Sequence, residues 1–240
     1  DIDNFNIDGT TIALSSGDLI VDVAGGIVLD ADDSGTLSLK DAGTRFGILQ
    51  KSGNNFEIQS AISDGDIVFK GTDGGSGITA LTLDMSGAGL AIFNAGIAVG
   101  GTGAANTLDD YEEGTWSPQI HLQNAGNQSN ASNQTQDGRY TKIGNIVTLQ
   151  FSLIFTLPSS LSNDNIGIKN LPFTSSATIK SVGGVMQSTS LTSGAGYLLF
   201  IEPSEDKILL LTGAGGGNLA DEVGTGSGKQ LFGSIVYQTG

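Results

Sequence analysis

From residue 7 to residue 99 the apolar side chains never gather into a run long enough to build an interior from one chain. They come in short clusters: Ile12–Leu14, Leu19–Val23, Ile27–Leu29, Leu37–Leu39, Phe46–Leu49, Phe56–Ile58, Ile67–Phe69, Leu81–Leu83, Leu90–Phe93 and Ile97–Val99. Turn formers stand between them, as at Asp8-Gly9, Gly25-Gly26, Asp33-Ser34-Gly35, Ser52-Gly53-Asn54-Asn55, Asp64-Gly65 and Asp73-Gly74-Gly75. Leu37-Ser38-Leu39 and Phe56-Glu57-Ile58 alternate apolar with polar, the period of a half-buried strand. Helical spacing is sustained nowhere in this stretch. The clusters form an imperfect short repeat of the kind that builds fibrous β-structure.

Energetics decide what such a region must do. Ordering ~100 residues costs on the order of 100–200 kcal/mol of conformational entropy. Three-residue clusters spaced by glycine bury too little surface within one chain to offset that cost, whereas equivalent clusters from identical chains stacked about an axis can. The pattern predicts an intertwined homotrimeric β-shaft over residues 1–107. The competing fold is a single-chain β-solenoid or open sandwich, and solenoids usually show a more regular repeat. Gly100-Gly101-Thr102-Gly103 ends the clusters as a hinge.

Residues 108–240 read differently. Trp116 and all four tyrosines lie beyond residue 110, and the charge is −12 over residues 1–110 but −3 over 111–240. Arg139–Ile143, the turn Gly144-Asn145 and Ile146–Phe155 make the clearest hairpin. Val147, Leu149, Phe151, Leu153 and Phe155 share one face of its second strand. A second hairpin joins Tyr197–Ile201 to Lys207–Leu211 through Glu202–Asp206, and Gln230–Gln238 reads as a closing strand. With segments near 117–122, 166–173, 178–181 and 183–187, about eight strands result, enough for a β-sandwich, jelly-roll-like head. The expected fold class is therefore all-β.

Composition excludes several functions. A net charge of −15 argues against nucleic acid and anionic membranes, since phosphate binding needs clustered Lys and Arg. Cysteine is absent, so disulfides and thiolate metal sites are ruled out. No apolar run approaches the ~20 residues of a spanning helix, so membrane insertion is not expected. The chain opens at Asp1 with no basic leader, which is expected of a fragment or a processed protein.

Candidate chemistry is sparse, and neither a cofactor nor a catalytic residue is expected. Asp30, Asp32, Ser34, Gly35, Ser38 and Asp41 match the spacing of an EF-hand loop, but strand-like flanks favour an acidic hairpin turn, so no metal is expected. Gly224–Gln230 has Val223 where a P-loop needs glycine and Gln230 where it needs a hydroxyl, and reads as a flexible loop. His121 is the only histidine and lacks a nucleophile elbow around it. Glu112/Glu113 and Glu202/Glu205 are acid pairs read as solvated surface rather than a glycosidase couple. The polar loop Leu122–Gly138, uncharged until Asp137, suits carbohydrate hydroxyls, and Trp116, Tyr140, Tyr197 and Tyr237 are the aromatic faces available to cover a sugar. Asn127, Asn130 and Asn133 join them as candidate ligand contacts, each opening an N-x-S/T sequence that arises here by composition. For each aromatic, core packing is the competing role.

Leu108-Asp109-Asp110-Tyr111-Glu112-Glu113-Gly114-Thr115-Trp116-Ser117-Pro118 resembles the start of the globular tip of many bacteriophage tail fibres. Gly138–Val147 and Asn170-Leu171-Pro172-Phe173 extend that likeness, and Asp64–Gly71 through Leu81–Met85 looks like the repeats preceding such tips. The resemblance implies a homotrimeric, extracellular virion protein whose head binds a host-surface glycan or outer-membrane component. It further implies attachment to other tail proteins through an N-terminal part missing here. It transfers no binding residues. A polysaccharide-degrading tailspike fragment, a purely structural fibre and a bacterial surface adhesin are the competing readings.

Overall fold

Alternation and turn chemistry place the strands where the clusters lie. The computed structural model describes residues 6–8, 11–31, 35–122, 131–157, 166–188, 197–212 and 226–240. Its sheets are all antiparallel, and its one helical element among these residues is a 3-10 turn at Ala104–Asn106. Among the described residues no helix is long and apolar enough to cross a membrane. The chain divides into two units, Asp1–Asn94 and Ala95–Gly240. That division precedes the glycine-rich hinge because Ile97–Ala98 pairs with Thr107–Leu108 across it.

In the first unit, β1 (Asn6–Asp8) pairs with β2 (Thr11–Ala13). β3 (Thr36–Asp41), β4 (Thr44–Ser52) and β5 (Asn55–Ser60) form one three-stranded meander. β6 (Ile67–Asp73), β7 (Ser76–Asp84) and β8 (Leu90–Phe93) form another. The β6–β7 loop is two residues, Gly74 and Gly75, at φ +54° and +89°, a conformation open to glycine and matched to the twist of a hairpin. Register assigns the faces. Leu37, Leu49 and Ile58 stand side by side across the first meander, with Leu39 and Phe56 on the same face. Ile67, Leu83 and Ala91 form one row of the second, and Phe69, Leu81 and Phe93 the next.

Those faces are uncovered. Ile48 is the only apolar residue buried in this unit among the described residues, while twenty-one large apolar residues from Ile12 to Phe93 are exposed. Val28 is 86% exposed, Ile20 81% and Phe56 71%.

In the second unit, β9 (Ile97–Ala98) and β10 (Thr107–Leu108) make a short ladder. Then follow β11 (Tyr111–Trp116), β12 (Gln119–Leu122), β13 (Ser132–Ile143), β14 (Ile146–Leu157) and β15 (Ile166–Lys169). β16 (Ser181–Val182), β17 (Val185–Ser188), β18 (Tyr197–Ile201), β19 (Lys207–Thr212) and β20 (Gly226–Gln238) complete it. One sheet has the order β11-β13-β14-β20-β17, the other β12-β15-β19-β18-β16. Both contribute to a single core: Val147, Leu149, Phe151, Leu153, Phe155, Leu231 and Ile235 from the first sheet meet Ile120, Ile166, Ile168, Leu199, Ile201, Ile208 and Leu210 from the second. The arrangement is a two-layer β-sandwich.

The chain changes layer at corners. β11 runs into β12 through Ser117-Pro118, and β16 into β17 through Gly183-Gly184, so each pair is one extended path split between sheets. At the second corner Gly183 has φ +111°, and a Cβ on Gly184 would lie 2.6 Å from the Ser234 carbonyl oxygen. Only glycines allow that bend so close to β20. The Gly224–Gln230 expectation is corrected here. Gly226–Gln230 is strand, with Gly226 opposite Leu157 and Lys229 opposite Phe155, because the length of β14 supplies a ladder to weakly β-prone residues.

Candidate functional site

The three segments carrying the tail-fibre resemblance meet at one edge of the second unit's core. On β11 and β13, Gly114 faces Tyr140 and Trp116 faces Gly138, a reciprocal pairing of aromatic with glycine. Each ring lies over its partner glycine: an added Cβ would stand 2.4 Å from Trp116 Nε1 at Gly138, and 2.6 Å from the Tyr140 ring at Gly114. Trp116 Nε1 donates to the Gln150 carbonyl oxygen at 3.3 Å. The Tyr140 ring meets Phe173 edge-on, with centroids 5.2 Å apart and planes at 87°. Lys142 lies 5.6 Å over the same Phe173 ring and pairs with Asp110. The Tyr237 hydroxyl donates to the Phe173 carbonyl oxygen at 2.8 Å. Burial pushes the Tyr237 hydroxyl far above its ordinary pKa, and donation to Glu112 does the same more mildly for Tyr140.

This geometry reassigns most of the expected ligand contacts. Trp116 and Tyr237 are buried and offer no ring face to a sugar. Tyr140 is half-buried against the core. Asn133 points inward, its side-chain oxygen accepting from Ile120 N–H at 3.1 Å, so it holds β12 to β13. Tyr197 sits on β18 opposite Thr212, but its side chain lies outside the described residues, as do Asn127 and Asn130 altogether. Of the EF-hand spacing, Ser38 and Asp41 lie on β3, while Asp32 and Ser34 are outside the described residues. Glu112 and Glu113 point to opposite faces of β11, engaged by Tyr140 and Tyr111. Glu202 pairs with Lys180 at 2.9 Å, and Glu205 with Lys207.

What does face solvent is the outer side of the first sheet. The register sets its side chains in rows: Thr115, Arg139, Gln150, Ser234 and Val185 in one, Glu113, Thr141, Thr148 and Val236 in the next. Glu113, Thr115, Arg139, Thr141, Thr148 and Gln150 line an open trough of about 430 Å³. Arg139 is exposed and makes no ion pair among the described residues. A guanidinium, a carboxylate, three hydroxyls and an amide converge there on a shallow volume. Such a set can exchange hydrogen bonds with a polyhydroxylated ligand through both donors and acceptors. Sequence reading missed these residues because each is the polar half of an ordinary alternating strand. Only the register reveals that they adjoin.

His121 occupies the other sheet, and its Nδ1 is buried without a partner among the described residues. Burial first, then the nearby Lys207 and Lys169, hold its pKa below the ordinary value. The unfolded chain therefore binds a proton that the folded chain resists. Stability should fall as pH drops from about 6.5, the unfolded value, toward the folded one. Chemical denaturation between pH 7.5 and 5 should show this slope in the wild type. His121→Gln should flatten it, and an unchanged slope would mean the imidazole does not resist protonation.

Comparison with protein families, with curated proteins and with solved structures returned no match.

Proposed function

We propose that this chain is the distal shaft and head of a homotrimeric bacteriophage tail fibre, whose head binds a glycan or similar component of the host surface. The twenty-one exposed apolar residues of the first unit carry the reading. Faces such as Ile67, Phe69, Leu81, Leu83, Ala91 and Phe93 acquire an interior once sister copies turn theirs toward a common axis. Surplus carboxylates on the outside then discourage strand-edge pairing between fibres. In the head, the jelly-roll-like sandwich presents its polar outer sheet, and the resemblance of Leu108–Pro118, Gly138–Val147 and Asn170–Phe173 to fibre tips adds a family context.

The trough on the first sheet is the receptor contact in this reading. Three copies of a weak site on one axis raise effective affinity by ~10²–10⁴. Arg139→Ala combined with Gln150→Ala should lower host-surface or envelope-glycan binding on the order of tenfold or more per site, because buried hydrogen bonds to charged groups contribute about 1.5–3 kcal/mol. Melting should be unaltered, since both side chains point to solvent. The test joins two measurements: mass in solution, expected near three times 24.4 kDa, and binding of wild type and variant to host cells. A trimer that binds no host surface would leave a structural fibre. Shortened polysaccharide after incubation would make it a tailspike.

A further inference from the structure

The outer face of the first sheet continues past the trough. One row beyond Glu113 and Thr141, the register sets Tyr111, Ile143 and Ile146 side by side. Val236 stands beside Thr148 in the row between. All four apolar or aromatic side chains are exposed, Tyr111 at 57%. Trp116 and Tyr237, expected from sequence as sugar faces, are buried, and Tyr140 packs on the core. Tyr111 was not in that set, yet it is the one exposed tyrosine among the described side chains.

Its ring is also held in place. Tyr111 and Glu113 lie two residues apart on β11 and so share a face. The Tyr111 hydroxyl donates to Glu113 Oε1, which restricts the ring before any ligand arrives and lowers the ordering cost of covering it. Glu113 Oε2 has no hydrogen-bond partner among the described residues and remains an acceptor at the ring's rim. The Thr141 and Thr148 hydroxyls follow in the same row. An aromatic face rimmed by acceptors and hydroxyls matches a pyranose ring, whose C–H groups form an apolar face and whose hydroxyls form its edge. A sister subunit fits this face less well. Packing protein over it would strand the Glu113 carboxylate and the Arg139 guanidinium, neither of which makes an ion pair among the described residues.

We propose that Tyr111 is the stacking platform of the receptor site, taking the C–H face of a neutral pyranose whose hydroxyls bond to Glu113 and Thr141. The chain of sugars then runs along the trough toward Arg139 and Gln150. The inference rests on the glycan-binding reading of the head, and adds the sugar class and the residue that selects it. Same-face rows are about 6.8 Å apart, so the rows of Tyr111 and Arg139 lie roughly 14 Å apart. That exceeds one sugar ring, and the ligand is an oligosaccharide. Glu113 lies between those rows, and its charge disfavours a carboxylate on the sugar covering Tyr111.

An array of bacterial surface oligosaccharides, some neutral and some bearing uronic acids, supplies the probe. The full chain should retain neutral members. Tyr111→Ala should weaken that binding about tenfold or more, and Tyr111→Phe, which keeps the ring, by no more than about threefold. Unchanged binding by Tyr111→Ala overturns the platform, while loss in the Arg139→Ala, Gln150→Ala variant would still uphold the trough. Preference for acidic members overturns the sugar class. A wild type that retains no member overturns the glycan reading, and the platform with it. Loss of oligomeric mass in Tyr111→Ala overturns the platform by giving this row to a sister copy. In the unaltered protein, a retained oligosaccharide should shift the NMR signals of the Tyr111 ring carbons, identified by their loss in Tyr111→Phe. Unmoved signals overturn the proposal however the variants fold.

Discussion

Gly138→Ala should lower the stability of the Ala95–Gly240 unit by roughly 3 kcal/mol, a fall in melting temperature of about 10 °C. The added methyl would sit 2.4 Å from Trp116 Nε1, 2.5 Å from its Cδ1 and 2.7 Å from its Cε2, so the indole must leave the place it packs. It cannot move without surrendering its hydrogen bond to the Gln150 carbonyl oxygen and its position in the core. Trp116→Ala, which removes the ring instead, should cost about 3–5 kcal/mol through the cavity it leaves. The two changes act on one contact. The double variant should therefore cost less than the sum of the singles by about 1–3 kcal/mol, since the clash has nothing left to strike. Calorimetry of the four proteins measures the cycle. Additive losses would mean that the ring and the glycine do not share this space.

That pair shows where sequence reasoning reaches and where it stops. The hairpin around Gly144-Asn145 was legible because two signals agree: β-prone alternation and a turn tolerant of positive φ. In the structure Val147, Leu149, Phe151, Leu153 and Phe155 are all buried, and Ile143 faces Ile146 across the predicted loop. The turn between β18 and β19 was legible for the same reason. By contrast, β11 was hidden. Tyr111-Glu112-Glu113-Gly114 has the charge and glycine of a loop, and its strand character comes from pairing with β13, residue by residue. A glycine that hosts an aromatic ring from the next strand looks in sequence like a breaker. Trp116 and Tyr237 read in sequence either as ligand faces or as core residues, and both are buried. Their chemistry suits a sugar face equally well, and only burial decides between the two roles.

The motifs that resemble fibre tips turn out to hold the edge of the core. Asp110 with Lys142, Gly114 with Tyr140, Trp116 with Gly138 and Phe173 with Tyr140 link the three segments into one cluster. A family likeness carried by such residues speaks for the scaffold. Under the proposed function, receptor contacts come from positions the scaffold leaves free, and the outward residues Thr115, Arg139, Thr148 and Gln150 are of that kind. The clusters of the first unit were readable as strands where a second strand lay within a short turn. Leu19–Val23 and Ile27–Leu29 were equally apolar, yet they find no strand partner among the described residues. In the proposed trimer their interior belongs to another chain, which no local signal reports.

Phe69→Asp tests that interior directly. Phe69 stands opposite Leu81 on its own sheet and is 47% exposed in the single chain. In a solvated sheet a carboxylate here would be nearly neutral in its effect. In a trimer it would place three unpaired carboxylates in one apolar axis, each costing several kcal/mol to desolvate. Their sum, on the order of 10 kcal/mol, exceeds what most assemblies can lose. The variant is expected to sediment at 24.4 kDa and to lose β-signal from the first unit. The Ala95–Gly240 core, which lies elsewhere in the chain, should still melt cooperatively. Phe69→Leu, which keeps the apolar volume, should remain trimeric. A Phe69→Asp protein that assembles as readily as the wild type would mean that this face meets water in the fibre, and that the exposed apolar rows are not its axis.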